Sequence, residues 1–216
     1  MFKPDHGTIY IIRHGETDGN LTKYLQGCSK DNPLNAKGLA QAQKVMEFFK
    51  DKPLDAIYSS PLKRAQQTAA PLAESKGLKI HTVPGFKEIS FGDWEGIEMA
   101  EIERRWASQM MLFFKQPSRL TIPGGRPFAE VQREAWTTFQ NILEKEGHGR
   151  QIAMVAHGGV IRLLMCAFLE MPLDRMWSLS VYNASVITIN EWDGNLVLTR
   201  MNEEVEKKLD ENAGPL

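Results

Sequence analysis

Four polar clusters in this chain hold residue types able to do chemistry together. Arg13-His14-Gly15-Glu16-Thr17 sets a guanidinium beside an imidazole, with a glycine that lets the chain turn away. Ala156-His157-Gly158-Gly159 places a second imidazole before two glycines far downstream. Between them stand Ser59-Ser60-Pro61-Leu62-Lys63-Arg64-Ala65, with another arginine, and Glu88 at the start of a polar stretch. Guanidinium forks suit phosphate oxygens in geometry and charge. A neutral imidazole is a nucleophile, and a carboxyl group can protonate a leaving oxygen. Two His, two Arg and a Glu therefore suit a phosphoryl group, provided the fold brings them to one place.

The intervening chain supplies the means. Apolar runs predict strands over 8–12, 56–59, 79–83, 152–156, 186–190 and 196–200, and helical patterns cover 36–49, 62–76, 99–114, 128–144 and 160–168. This alternation predicts an α/β fold, a three-layer sandwich with a mostly parallel central sheet flanked by helices. In such sheets ligands bind at the carboxyl ends of the strands, where Arg13-His14 and His157 fall. Ser60 suits the N-cap and Pro61 the first turn of the 62–76 helix. Helix N-termini at that edge add unpaired N–H groups and positive dipole ends. Asn190-Glu191-Trp192-Asp193-Gly194-Asn195 is turn-rich, so the last two strands form an antiparallel hairpin at the edge of the sheet. The Pro/Gly-rich stretch 116–127 reads as a loop, and the charged tail 203–216 as a frayed helix followed by disorder.

Composition narrows the class. The chain has 216 residues, 42% hydrophobic and 25% charged, an ordinary soluble make-up sufficient for one core. Its net charge of −1 gives no support to a nucleic-acid or membrane-surface role, so an anion site must be a local gathering of Arg and His. The two cysteines, Cys28 and Cys166, make neither a disulfide framework nor a zinc site. No run is long enough to span a bilayer and the N-terminus lacks a signal-peptide pattern, so cytoplasmic residence is expected.

The motifs together resemble the histidine phosphatase superfamily, also called phosphoglycerate mutase-like. Arg-His-Gly-Glu-Thr, Ser-Ser-Pro-Leu-x-Arg-Ala-x-x-Thr-Ala and Ala-His-Gly-Gly stand in that family's order, across residues 8–185 of a single domain. The resemblance implies that His14 is the nucleophile that becomes phosphorylated. It implies that Arg13, Arg64 and His157 surround the phosphoryl oxygens, and that Glu88 protonates the leaving oxygen and then activates water. Asn20 and Thr17 match positions that line the phosphate pocket. It further implies a small-molecule phosphate ester as substrate, no cofactor, no metal, and a helical cap segment over the site, at about 89–127. The family includes monomers and dimers, so a homodimer is one of two assemblies it allows.

Physical reasoning agrees with these roles. Attack on phosphorus needs a neutral imidazole, and nearby guanidiniums disfavour the imidazolium form. The same cations stabilise charge on the transferring phosphoryl group, where a metal would otherwise act. Asp93 and Glu95 share the loop with Glu88 and are alternative acids. Arg162, one turn after His157, is placed either to reach the anion or on the helix surface, and the surface reading is the favoured one. Glu16 tunes or orients the pocket, while His6, His81 and His148 lie apart from it. Trp106, Met110, Phe113 and Phe114 recur at helical spacing and serve either as core or as an apolar pocket lining.

Ile89-Ser90-Phe91-Gly92-Asp93-Trp94-Glu95-Gly96 and the short distance to Pro123-Gly124-Gly125 resemble the phosphatase branch, α-ribazole phosphatases among it. Arg126-Pro127 departs from the Glu-Ser common there, so the substrate is not carried over. The expected activity is a metal-independent phosphomonoesterase. The alternatives are a bisphosphoglycerate-dependent phosphoglycerate mutase and, in another class, a non-catalytic module that binds phosphate ligands.

Overall fold

The computed structural model describes residues 6–203 and 205. In chain order its main elements are β1 (His6–Arg13), α1 (Asp18–Leu21), α2 (Ala36–Phe48), β2 (Ala56–Ser59), α3 (Lys63–Lys76), β3 (Ile80–Thr82), α4 (Met99–Arg105), α5 (Ala107–Lys115), α6 (Phe128–Glu146), β4 (Gln151–Ala156), α7 (Gly158–Phe168), β5 (Val186–Trp192) and β6 (Asn195–Glu203). The strands form one six-stranded sheet in the order β3-β2-β4-β1-β5-β6. β3, β2, β4 and β1 run parallel, β5 pairs antiparallel with β1, and β6 pairs antiparallel with β5.

Alternation along β1 explains the layers. Ile9 and Ile11 join a core with α6 and α7 residues such as Phe139 and Leu164, whereas Tyr10 and Ile12 join a second core with Val45 of α2 and Leu72 of α3. Helices therefore cover both faces, as expected for a parallel sheet. The predicted α/β fold is the observed one. Among the described residues no helix is long and apolar enough to cross a membrane.

Four local expectations change. The 99–114 helix is two, α4 and α5, broken where Trp106 leaves helical geometry (φ −132°, ψ 48°). Trp106 packs against Trp94 with ring centroids 6.2 Å apart, so tertiary contact overrides helical periodicity. Helix α3 starts at Lys63, not Leu62, and Ser60 is not its N-cap. The Asp31 carboxylate accepts the Lys63 N–H at 2.6 Å, while the Ser60 hydroxyl accepts the Leu62 N–H (3.3 Å) and meets His157. The final hairpin turns at Asp193-Gly194 alone (φ 49° and 80°), the backbone signs of a type I′ turn, so Asn190, Glu191, Trp192 and Asn195 extend the strands. Glu203 closes β6. Of the predicted tail, 204 and 206–216 lie outside the described residues.

The Trp106–Phe114 stripe divides. Met110 and Phe113 are buried in the core, and Trp106 and Phe114 pack against it. Phe113 meets Phe91, Trp94, Phe114, Phe128 and Trp177 in an aromatic cluster.

Candidate active site

Register brings the distant motifs together. β1 pairs with β4 so that Arg13 lies opposite Ala156, and the His14 N–H donates to the Ala156 carbonyl (3.0 Å). His14 and His157 thus leave adjacent parallel strands side by side, with ring centroids 5.1 Å apart. β2 lies on the other side of β4, and the Ser60 N–H donates to the Val155 carbonyl (2.9 Å). That placement delivers Ser60 and, as the second residue of α3, Arg64.

The His14 imidazole is buried, and its Nδ1 lies 2.6 Å from the Gly15 carbonyl oxygen. A carbonyl can only accept, so Nδ1 carries the proton and Nε2 keeps its lone pair. Burial holds His14 well below its usual pKa, and the Arg64 and Arg13 guanidiniums push the same way. The Gly15 turn sits tightly against α2. A Cβ at Gly15 would come 2.6 Å from the Gly38 carbonyl oxygen, so this approach requires glycine.

Arg64 is 1% exposed, and its guanidinium is held on all three nitrogens. Nε donates to His157 Nδ1 (3.1 Å), Nη1 to the Lys30 carbonyl (3.0 Å) and Nη2 to the Gly27 carbonyl (2.8 Å). Because an arginine nitrogen only donates, neutral His157 carries its proton on Nε2, 2.7 Å from Ser60 Oγ. Burial, then Arg64, His14 and Arg13, keep His157 well below its usual pKa. Arg13 donates through Nη1 to the Val181 carbonyl (2.7 Å), while its Nε is buried with no hydrogen-bond partner among the described residues. An open buried donor is costly, and an anionic oxygen satisfies it. Desolvation, then the nearby Arg162, lower Arg13 to about 10, which leaves it charged at neutral pH.

Glu88 sits on the N-terminus of α7. It accepts the Gly159 N–H (3.1 Å), the Val160 N–H (3.0 Å) and its neighbour Ile89 N–H (3.0 Å). A Cβ at Gly159 would come 2.6 Å from Glu88 Oε1, so glycine makes room for this carboxylate. Arg13, Arg64 and Arg162 all feel its charge. The other two acids of the loop do different work. Asp93 is exposed. Glu95 accepts the Cys28, Ser29 and Phe91 N–H groups and the Ser29 hydroxyl, and so braces the loop whose carbonyls hold Arg64.

Thr17 and Asn20 face each other in a capping box at the start of α1. Thr17 Oγ1 also lies 2.9 Å from Gln26 Oε1, and Asn20 Oδ1 accepts the Thr17 N–H. Both side chains thus shape the loop behind His14. Glu16 bridges Asn35 and Lys37. Arg162 is not a surface residue: it is 5% exposed and donates to the Leu179 (2.8 Å) and Gly158 (3.1 Å) carbonyls, over the face of Trp177. Arg126 pairs with Glu134 on the surface.

The family model of the histidine phosphatase superfamily (branch 1) matches residues 9–204. The chain belongs to this superfamily. Phosphoserine phosphatase 1 of Hydrogenobacter thermophilus is 28% identical over 90% of this chain and 91% of its own. A probable phosphoglycerate mutase of Yersinia enterocolitica is 30% identical over 84% of each. The solved structure of Bacillus stearothermophilus YhfR superposes with a TM-score of 0.86 at 32% identity, covering 93% of this chain and all of that one. The matched span contains all of the residues that the sheet gathers at one edge.

Proposed function

We propose that the protein hydrolyses phosphomonoesters of small metabolites through a phosphohistidine at His14, without a metal. The observation that carries this reading is the 2.6 Å contact of His14 Nδ1 with the Gly15 carbonyl oxygen, which assigns the tautomer. Nδ1–H is committed to the Gly15 carbonyl, and a neutral Nε2 lone pair stands beside two guanidiniums.

The steps follow from that arrangement. Arg13 and Arg64 bind the phosphoryl oxygens, Arg13 Nε gaining the partner it lacks, and His157 exchanges its Nε2–H bond to Ser60 Oγ for one to a phosphoryl oxygen. His14 Nε2 attacks phosphorus in line as the ester oxygen leaves. In its protonated form Glu88 delivers its proton to that oxygen; the carboxylate left, held by the N–H groups of α7, then takes one from the water that attacks phosphohistidine, which regenerates the acid and releases inorganic phosphate. The guanidiniums supply positive charge throughout, so the transition state is stabilised by preorganised donors. The segment at about 89–127, with α4 and α5, is the cap, and its Phe91, Trp94 and Phe113 anchor it in the core. Phosphoserine, named in one relative, is the first metabolite to test.

Hydrolysis of an aryl phosphate in the presence of a chelator tests the reading, together with an acid-labile phosphoenzyme that disappears in His14→Ala. A phosphoenzyme that persists in His14→Ala would overturn the nucleophile. Turnover only of phosphoglycerate, and only with a bisphosphate primer, would favour a mutase. Binding without turnover would favour a ligand-binding module.

A further inference from the structure

Asn183 touches the catalytic loop yet has no part in the steps above. It lies on the segment between α7 and β5. Its Nδ2 is 2.9 Å from the His14 carbonyl oxygen, 3.3 Å from the Gly15 carbonyl oxygen and 3.3 Å from Asn20 Oδ1. The Gly15 oxygen is the one that accepts the His14 Nδ1 proton. Asn183 therefore grips the acceptor that selects the nucleophile's tautomer.

The surrounding backbone makes this grip part of a larger strap. The Ala184 N–H reaches both the Arg13 (3.0 Å) and His14 (3.2 Å) carbonyls, and the Ser185 carbonyl accepts the Arg13 N–H (3.2 Å). The Val181 carbonyl takes Arg13 Nη1, and the Leu179 carbonyl takes Arg162 Nε. Ala184 holds φ +58°, a left-handed conformation unfavourable for a residue with a Cβ, and it is buried. Such strain persists only where surrounding contacts fix it, and it gathers at functional sites.

We propose that Asn183 is a positioning residue for His14, holding the Gly15 carbonyl so that Nδ1 stays protonated and Nε2 stays aimed at phosphorus. This rests on the phosphohistidine reading above. Without the amide, the Gly15 carbonyl is free to turn. The neutral imidazole then populates the other tautomer, whose Nε2 bears a proton and no lone pair.

The test compares wild type with Asn183→Ala and the isosteric Asn183→Asp, by aryl phosphate kinetics and by 15N NMR of the His14 ring. In Asn183→Ala, kcat falls on the order of 10²-fold, as expected for a misaimed reacting group, with KM changed less than about twofold. Its NMR spectrum shows a protonated Nε2 population absent from wild type. In Asn183→Asp, the new carboxylate favours imidazolium, and the acid limb of kcat/KM moves up by about one pH unit. The change of tautomer in Asn183→Ala, which adds no charge, is the readout that a merely structural role would not move. Wild-type kcat and an unchanged tautomer in Asn183→Ala would overturn the proposal. Should that variant unfold, an unmoved acid limb and an unchanged ring spectrum in Asn183→Asp would overturn it equally. If wild type turns over no ester but the tautomer responds to Asn183→Ala, the positioning stands and the phosphohistidine reading falls.

Discussion

Two neutral histidines buried among guanidiniums make this protein's stability depend on pH in a defined direction. His14 and His157 are both held well below 6.5, by burial first and then by nearby positive charge. In the unfolded chain each titrates near its ordinary value of 6.5. Below that value the unfolded state binds protons that the folded state refuses, so stability is full above 6.5 and is lost as pH falls. One unit below 6.5, the loss is roughly 3 kcal/mol for the pair, at about 1.4 kcal/mol per unit of protonation difference. That is a large share of a typical domain's stability. Urea unfolding at pH 7.5, 6.5 and 5.5, in phosphate-free buffer, measures it. The double variant His14→Gln, His157→Gln provides the reference, because all other titrations are common to both proteins. Wild type should lose about 3 kcal/mol more than this variant between pH 7.5 and 5.5. A difference that is flat with pH, or of opposite sign, would refute the reasoning, since the histidines would then be charged in the folded state.

Three further substitutions probe the site. Gly159→Ala drives a Cβ into Glu88 Oε1; kcat should fall by about 10- to 100-fold, more for an alkyl than for an aryl phosphate, whose leaving group needs less protonation. Arg64→Lys cannot reproduce the fork that joins His157 Nδ1, Lys30 O and Gly27 O; it should cost about 2 kcal/mol in urea unfolding and on the order of 10²-fold in kcat/KM. Glu95→Gln weakens charge-assisted bonds to Cys28, Ser29 and Phe91; thermal unfolding should show a loss of about 1–2 kcal/mol, with kcat reduced because the loop under Arg64 loosens.

Arg13, His14, Arg64 and His157 could be singled out in the sequence because each lies at or just after the carboxyl end of a strand, in a strand-to-turn or strand-to-helix passage where side-chain type and chain direction are both set locally. The layers were legible from the apolar runs. Arg162 was misread because a lone arginine usually marks a solvated face. Its own surroundings carried the contrary signal: Val160, Ile161, Leu163 and Leu164 are apolar on every side, so α7 has no wet face there. The break at Trp106 was hidden because it depends on Trp94, a contact between residues of different elements. Asn183 lies in a segment with no periodicity, and its importance comes only from what it touches across the fold. Glu88 was placed by motif, but its seat on the α7 N-terminus required knowing that the two segments meet.

The pairing of β1 with β4 has a kinetic consequence. The strands that lead into His14 and His157 are roughly 140 residues apart in the chain, so the site closes only when this long-range contact forms, a costly loop closure. A one-residue slip in their register would turn alternate side chains to the wrong face and separate the two imidazoles. Turnover is therefore a gauge of folding. During refolding, helical signal should return ahead of activity, and the lag between them reads out the time the chain takes to align its two halves.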